Sequence, residues 1–310
     1  MNQPAPATVI SWQTCLQSIR GKDIRILSRC ISLVENEVSG HEELLQALPY
    51  NDTTPVIGIT GPPGAGKSTL TDALIGKLVA QGKRTAVLCV DPSSPFHQGA
   101  LLGDRIRMSE WYLHPDVFIR SLATRGSLGG LHPRILEISD LLKAGGFDYI
   151  LIETVGVGQS EIEIAGLADT TLVVLVPEGG DEIQTMKSGL MEIGDIFVVN
   201  KSDRPGADLF LRNLRLMLSP AFHRPGLQPA IIATVASKRQ GLDELMEKIE
   251  EHLRQHRMDS GKYRLLAERA YHLIRERRMK AISKNELLEQ IGKEFTKGEF
   301  NLYRFVAGYV

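Results

Sequence analysis

Seven short apolar, β-branched runs punctuate the chain: Val56–Thr60, Thr85–Val90, Val117–Ser121, Tyr149–Glu153, Thr171–Val176, Ile196–Asn200 and Ala230–Val235. Helical or loop segments separate them. The alternation predicts an α/β fold with a mostly parallel central sheet and helices on both faces. In such sheets ligands bind beyond the C-terminal ends of the strands. Asp91, Glu153, Asn200 and the loop after Val235 fall there.

The flanks read differently. Residues 13–48 are helical in pattern, with Leu16, Ile19, Ile24, Leu27, Ile31 and Val34 mostly three to five residues apart. Leu44, Leu45 and Leu48 continue the pattern after Gly40, and Pro49-Tyr50-Asn51-Asp52 breaks it. Beyond Gly241 the pattern is helical again, and Leu242, Leu245 and Ile249 are spaced to cover the sheet. Met258-Asp259-Ser260-Gly261 reads as a hinge. Residues 262–294 are charged and amphipathic, with Leu266, Ala270, Leu273 and Ile274 on one face. The expected organisation is an N-terminal helical extension over 1–50, an α/β domain over 51–257 and a C-terminal helical arm over 258–310.

Between the first apolar run and the next helical segment stands GPPGAGKS, residues 61–68. Strand, Gly-rich turn and helix are the setting that makes GxxxxGK[ST] a phosphate-binding loop. Gly61, Gly64 and Gly66 allow the backbone through Pro62, Pro63 and Ala65 to curl with N–H groups inward. The helix beginning near Lys67, Ser68 and Thr69 adds its positive end. Lys67 is placed to contact the β- and γ-phosphates, and the Ser68 hydroxyl to bind Mg²⁺.

NKSD at 200–203 follows the run Ile196–Val199. Asp203 matches the two donors of guanine, N1–H and the exocyclic amine. ATP offers no such pair and would leave the carboxylate unsatisfied. Asn200 is expected to brace the loops, and the Lys201 stem to lie along the base. Val235-Ala236-Ser237 takes the place of the third base-contacting loop, where a backbone N–H meets guanine O6. Asp91 and Glu153 end strands on the Mg²⁺ side; the alternative for each is a helix cap. Glu153-Thr154-Val155-Gly156 has the form of a DxxG switch with Glu for Asp, and the Gly156 N–H is placed to sense the γ-phosphate. The position after that glycine, where a water-orienting Gln is common, is Val157, with Gln159 two residues later. Slow intrinsic hydrolysis is the expectation. Asp104 is the remaining acidic candidate. Arg105, Arg107, Arg120 and Arg125 are candidates for transition-state charge or for surface ion pairs.

Composition narrows the setting. At 310 residues the chain is long enough to bury a full core, and a net charge of −1 gives no support for a nucleic-acid partner. Cys15, Cys30 and Cys89 form no CxxC pair and no Cys/His cluster, which suits a reducing compartment. No run approaches the length of a membrane span, and the first residues lack a basic n-region. The expected location is the cytoplasm, with no membrane partner.

With these motifs assembled, the chain resembles the methylmalonyl-CoA mutase-associated GTPase family (MeaB/ArgK type). ISLVEN at 31–36, GITGPPGAGKSTL at 58–70 and VDPSSPFHQGALLGDRIRM at 90–108 carry the resemblance. So do TRGSLGGL at 124–131, ETVGVGQSE at 153–161 and VPEGGDEIQTMKSGLMEIGDIFVVNKSD at 176–203. The resemblance implies a metallochaperone-like P-loop GTPase binding GTP or GDP with Mg²⁺. Asp91 would help bind Mg²⁺ beside Ser68, Asp104 would sit in the first switch, and Glu153 would open the second. Residues 178–187 would report nucleotide state. It further implies a homodimer that binds an adenosylcobalamin-dependent acyl-CoA mutase, gates cobalamin delivery and protects the mutase. A small-molecule kinase, matching the arginine/ornithine transport-kinase label this family has carried, and a nickel-insertion GTPase are the alternatives.

Overall fold

The computed structural model describes residues 11–21, 23–91, 108–124, 131–154, 163–177, 189–221, 229–258, 261–279, 281–296, 298 and 300–309. The apolar runs form strands β1 (Val56–Thr60), β2 (Thr85–Asp91), β3 (Val117–Ala123), β4 (Tyr149–Glu153), β5 (Thr170–Leu175), β6 (Ile196–Val199) and β7 (Ala230–Ala233). They build one seven-stranded sheet in the order β3-β2-β4-β1-β5-β6-β7. Every pairing is parallel.

Register decides which residues meet at the C-terminal edge. Ile59 on β1 lies opposite Glu153 on β4, and Thr60 opposite Val173 on β5. Cys89 also lies opposite Glu153, so β2 runs two residues further to Asp91. At the other edge, carboxylates accept from N–H groups at or just before the strand starts. Asp169 accepts from Val56 N and Asp195 from Thr171 N, each at 2.7 Å, and Asp148 accepts from Arg84 N at 2.8 Å.

Side chains alternate across the strands, so the sheet buries both faces. Leu70, Leu74 and Leu78 of α4 (Lys67–Ala80) pack with Ile57, Ile59, Val87, Leu151 and Val174 on one face. Leu245 and Ile249 of the long helix Leu242–Met258 join them, as their spacing predicts. The opposite face carries α1 (Trp12–Arg20), α2 (Ile24–Glu35), α3 (His41–Ala47) and α5 (Ile135–Ala144) against Ala86, Leu88, Ile150 and Ile152. Helices α6 (Gly189–Ile193) and α7 (Ala207–Ala221) cover Val173, Leu175, Phe197 and Val199. Each fully buried Leu or Ile contributes about 1.5–3 kcal/mol. The N-terminal helical stretch divides where the residues dictate. Asp23 caps α2 through Arg25 N and Ile26 N, and Gly40, at φ +93°, turns the chain into α3.

Two compact units emerge, residues 1–261 and 262–310. The helix Leu242–Met258 is α8 of the first. The second contains most of α9 (Gly261–Met279), then α10 (Lys284–Thr296) and α11 (Leu302–Ala307). Phe295, Phe300, Phe305 and Tyr309 form a chain of ring contacts 4.6–6.0 Å between centroids. No described side chain of this unit is fully buried.

Candidate nucleotide-binding site

The loop after β1 is shaped by two glycines that nothing larger replaces. Gly61 has φ +136°, and a Cβ there would lie 2.2 Å from the Val174 carbonyl oxygen on β5. Gly66 has φ +90°, and its Cβ would lie 2.4 Å from Asn200 Nδ2. The neighbouring strand and the Asn200 side chain therefore approach the loop only because both positions lack a side chain. Gly66 leads into α4, whose N-terminus carries positive potential. Lys67 is only 7% exposed. Its ammonium donates to the carbonyl oxygens of Gly61 at 2.8 Å and Pro62 at 3.0 Å, so the cation lies over the loop.

Glu153 ends β4 and is 4% exposed. Ser68 Oγ donates to Glu153 Oε1 at 2.6 Å, and Thr71 Oγ1 lies 3.1 Å from Oε2. Thr154 fixes the strand exit: its N–H donates to Ile59 O and its hydroxyl to Thr60 Oγ1, both at 3.0 Å. The carboxylate thus faces the phosphate loop from a strand bonded to β1. Ser68 and Glu153 supply hard oxygen donors side by side, a set that suits Mg²⁺. Among the described residues there is no cluster of three or more His, Cys, Asp or Glu side chains placed to hold a metal.

Asn200, 2% exposed, ties three loops together. Its Nδ2 donates to Ala65 O at 3.0 Å. Its Oδ1 accepts from Ala236 N at 3.1 Å and lies 3.3 Å from Thr234 Oγ1. Lys201, at φ +54°, sends its ammonium to Gly64 O at 2.8 Å. Asp203 is exposed and pairs with Lys238 at 2.7 Å. The Lys238 ammonium holds the Asp203 carboxyl below the usual carboxylate range. Val235 and Ala236 are buried, while Ser237 faces outward. A bridge between Val235 and Gln240 closes this loop, and Gly241 follows at φ +78°.

Residues 61–69, Glu153, 200–203 and 235–237 therefore gather at one edge of the sheet. The backbone of Asp91 ends β2 at the same edge; its side chain, Asp104, Gly156, Val157, Gln159 and 178–187 lie outside the described residues. So do Arg105, Arg107 and Arg125. Arg120 points elsewhere: it pairs with Glu35 at 2.5 Å and donates to Ser32 Oγ at 3.1 Å, both on α2. Sequence reasoning missed Thr71 and Lys238. Thr71 stands three positions after Ser68, hence on the same face of α4, and that spacing is a usable signal. The Lys238–Asp203 pair joins two distant loops and leaves no local pattern.

The chain matches the family described as "Methylmalonyl Co-A mutase-associated GTPase MeaB" over residues 27–294. A Pyrococcus horikoshii protein named as a GTPase is 48% identical over 241 residues, spanning 76% of each chain. The mouse "Methylmalonic aciduria type A homolog, mitochondrial" is 42% identical over 192 residues, 57% of this chain and 46% of that one. The crystal structure of an LAO/AO transport system kinase superposes with a TM-score of 0.67, covering 99% of this chain and 98% of that one at 24% identity, which speaks for the fold. The chain belongs to the methylmalonyl-CoA mutase-associated GTPase family, as a P-loop protein that binds guanine nucleotide and hydrolyses GTP.

Proposed function

We propose that this GTPase is an Mg²⁺-dependent regulatory switch for an adenosylcobalamin-dependent acyl-CoA mutase, gating cobalamin loading and protecting the mutase. The observation that carries the nucleotide half is the convergence of Lys67, Ser68 and Glu153 on one loop. The family match and the name of the mouse relative support the mutase half.

The geometry supports the following roles. Phosphate oxygens replace the Gly61 and Pro62 carbonyls as partners of the Lys67 ammonium, with the α4 N-terminus behind them. Ser68, with Glu153 beside it, holds Mg²⁺; Asp91 and Asp104 join by family resemblance. When bound, the ion neutralises charge on the β- and γ-phosphate oxygens. Asp203 accepts from guanine N1–H and the exocyclic amine. Asn200 keeps the base loops joined to the phosphate loop. By family resemblance, Gly156 senses the γ-phosphate and 178–187 pass its presence to the partner. With Val157 in place of a water-orienting Gln, intrinsic turnover is slow until the partner binds.

Exposed apolar side chains of the C-terminal unit support self-association into a homodimer: Leu288 is 72%, Phe295 63% and Tyr303 85% exposed. No helix among the described residues is long and apolar enough to cross a membrane. We place the protein in the cytoplasm.

The test is capture on immobilised chain loaded with a non-hydrolysable GTP analogue, followed by mass spectrometry. Recovery of a cobalamin-dependent mutase with the analogue, and less with GDP, is expected. Its consistent absence overturns the mutase reading. Equal thermal stabilisation by ATP and GTP defeats the guanine assignment and favours a kinase.

A further inference from the structure

We infer that Thr71 is a positioning residue for the Mg²⁺ site: it holds the Glu153 carboxylate so that the Ser68 hydroxyl keeps its lone pairs turned toward the metal. The inference rests on the proposed role of Ser68 as an Mg²⁺ ligand.

A serine hydroxyl has one proton and two lone pairs, and it serves a cation only with the lone pairs facing it. Here the proton is directed to Glu153 Oε1 over 2.6 Å. The direction holds only while the carboxylate stays in its present plane. Thr71 Oγ1, 3.1 Å from Oε2, resists rotation of that plane. The same hydroxyl lies 3.0 Å from Lys67 O, so its proton is shared. The carboxylate is the stronger acceptor because it is charged.

Three features make this contact more than helix decoration. Thr71 and Ser68 lie three positions apart on α4, so one helix face presents a hydroxyl to each carboxylate oxygen. Thr71 is fully buried and Glu153 is 4% exposed, so bulk water does not stand in for a lost hydroxyl. The Glu153 backbone is fixed from both sides, opposite Ile59 and Cys89. Thr71 therefore bears on the rotation of the side chain, not on the backbone. Groups that orient a metal's ligands without touching the metal commonly change its affinity by about 10–100-fold.

The test is Thr71→Val in the full chain, with Thr71→Ser as the conservative variant. The probe is a fluorescent GDP analogue, titrated in EDTA and then across an Mg²⁺ series. For Thr71→Val the EDTA affinity is expected to match wild type, while the Mg²⁺ concentration giving half the metal effect rises about tenfold. Thr71→Ser is expected to restore the wild-type midpoint. An unchanged midpoint in Thr71→Val overturns the inference. Equal weakening with and without Mg²⁺ also overturns it, because that is the mark of a loosened loop. A wild-type affinity indifferent to Mg²⁺ is a different result: it removes the Mg²⁺ reading itself, and the role of Thr71 with it. Should Thr71→Val fail to fold, melting curves of Thr71→Ala and Thr71→Ser with GDP, with and without Mg²⁺, carry the same contrast. The Ala variant must lose the Mg²⁺-dependent increment that the Ser variant keeps.

Discussion

The two ends of the proposed nucleotide site are built on opposite terms. At the phosphate end Lys67, Ser68, Thr71 and Glu153 are all under a tenth exposed. At the base end the Asp203 and Lys238 side chains are 40% and 58% exposed. Both ends rest on charged contacts of ordinary length. Out of water such contacts are strong and costly to leave unmade; in water they are screened and exchangeable. The phosphate end is therefore a fixed grip, and the base end a replaceable one. Asn200 joins them, with Nδ2 on the phosphate loop and Oδ1 on the base loop.

Mutations sharpen this contrast in a definite order. Lys67→Ala removes the buried ammonium and is expected to lower GTP turnover about 100-fold or more, read by phosphate release. Asp203→Asn should weaken GTP binding by roughly 10–100-fold while improving binding of a xanthine nucleotide, read by competition titration. Unchanged GTP affinity would remove Asp203 from base recognition. Gly66→Ala forces a Cβ at φ +90° into Asn200 Nδ2. It should cost about 1–3 kcal/mol of stability, visible in thermal or urea unfolding.

The smallest effect belongs to Lys238→Ala. GTP affinity should change by no more than about fivefold, and less at high salt. Its pH signature is specific. Lys238 holds the Asp203 carboxyl below its ordinary value of 3.8. The pair's contribution to stability is thus present above that value and is lost as pH falls through the lower folded one. Wild type and Lys238→Ala should differ in melting temperature at neutral pH and converge in strong acid. A fall in GTP turnover as large as that of Lys67→Ala would break the contrast between the two ends.

Much of this was legible in the residues. Every apolar run became a strand within a residue or two of its expected ends, because each is long enough for one crossing of a two-faced core. Thr171–Val176, for example, became Thr170–Leu175. Leu245 and Ile249 covered the sheet as their spacing implied. The N-terminal helical stretch was readable as helix but not as three pieces, since the divisions depend on a cap at Asp23 and a left-handed turn at Gly40. Strand order was not readable, because parallel neighbours are chosen by crossovers rather than by local pattern. Arg120 was open between transition-state charge and an ion pair, and Glu35, distant in sequence, settles it as an ion pair. Lys238 escaped notice for the same reason.

The central place of β1 has a consequence for how the protein is born. Its partners are β4 and β5, and the residue pressing on Gly61 is Val174. During synthesis β1 emerges early but has no neighbour until residues near 150–175 follow. At ordinary translation speed that interval is on the order of 10 s. In that time β2 and β3, which are neighbours at one edge, are able to pair first. The nucleotide pocket is therefore a late product of the growing chain. An N-terminal fragment ending before β5 would carry the whole GPPGAGKS motif and still lack a pocket to hold phosphate.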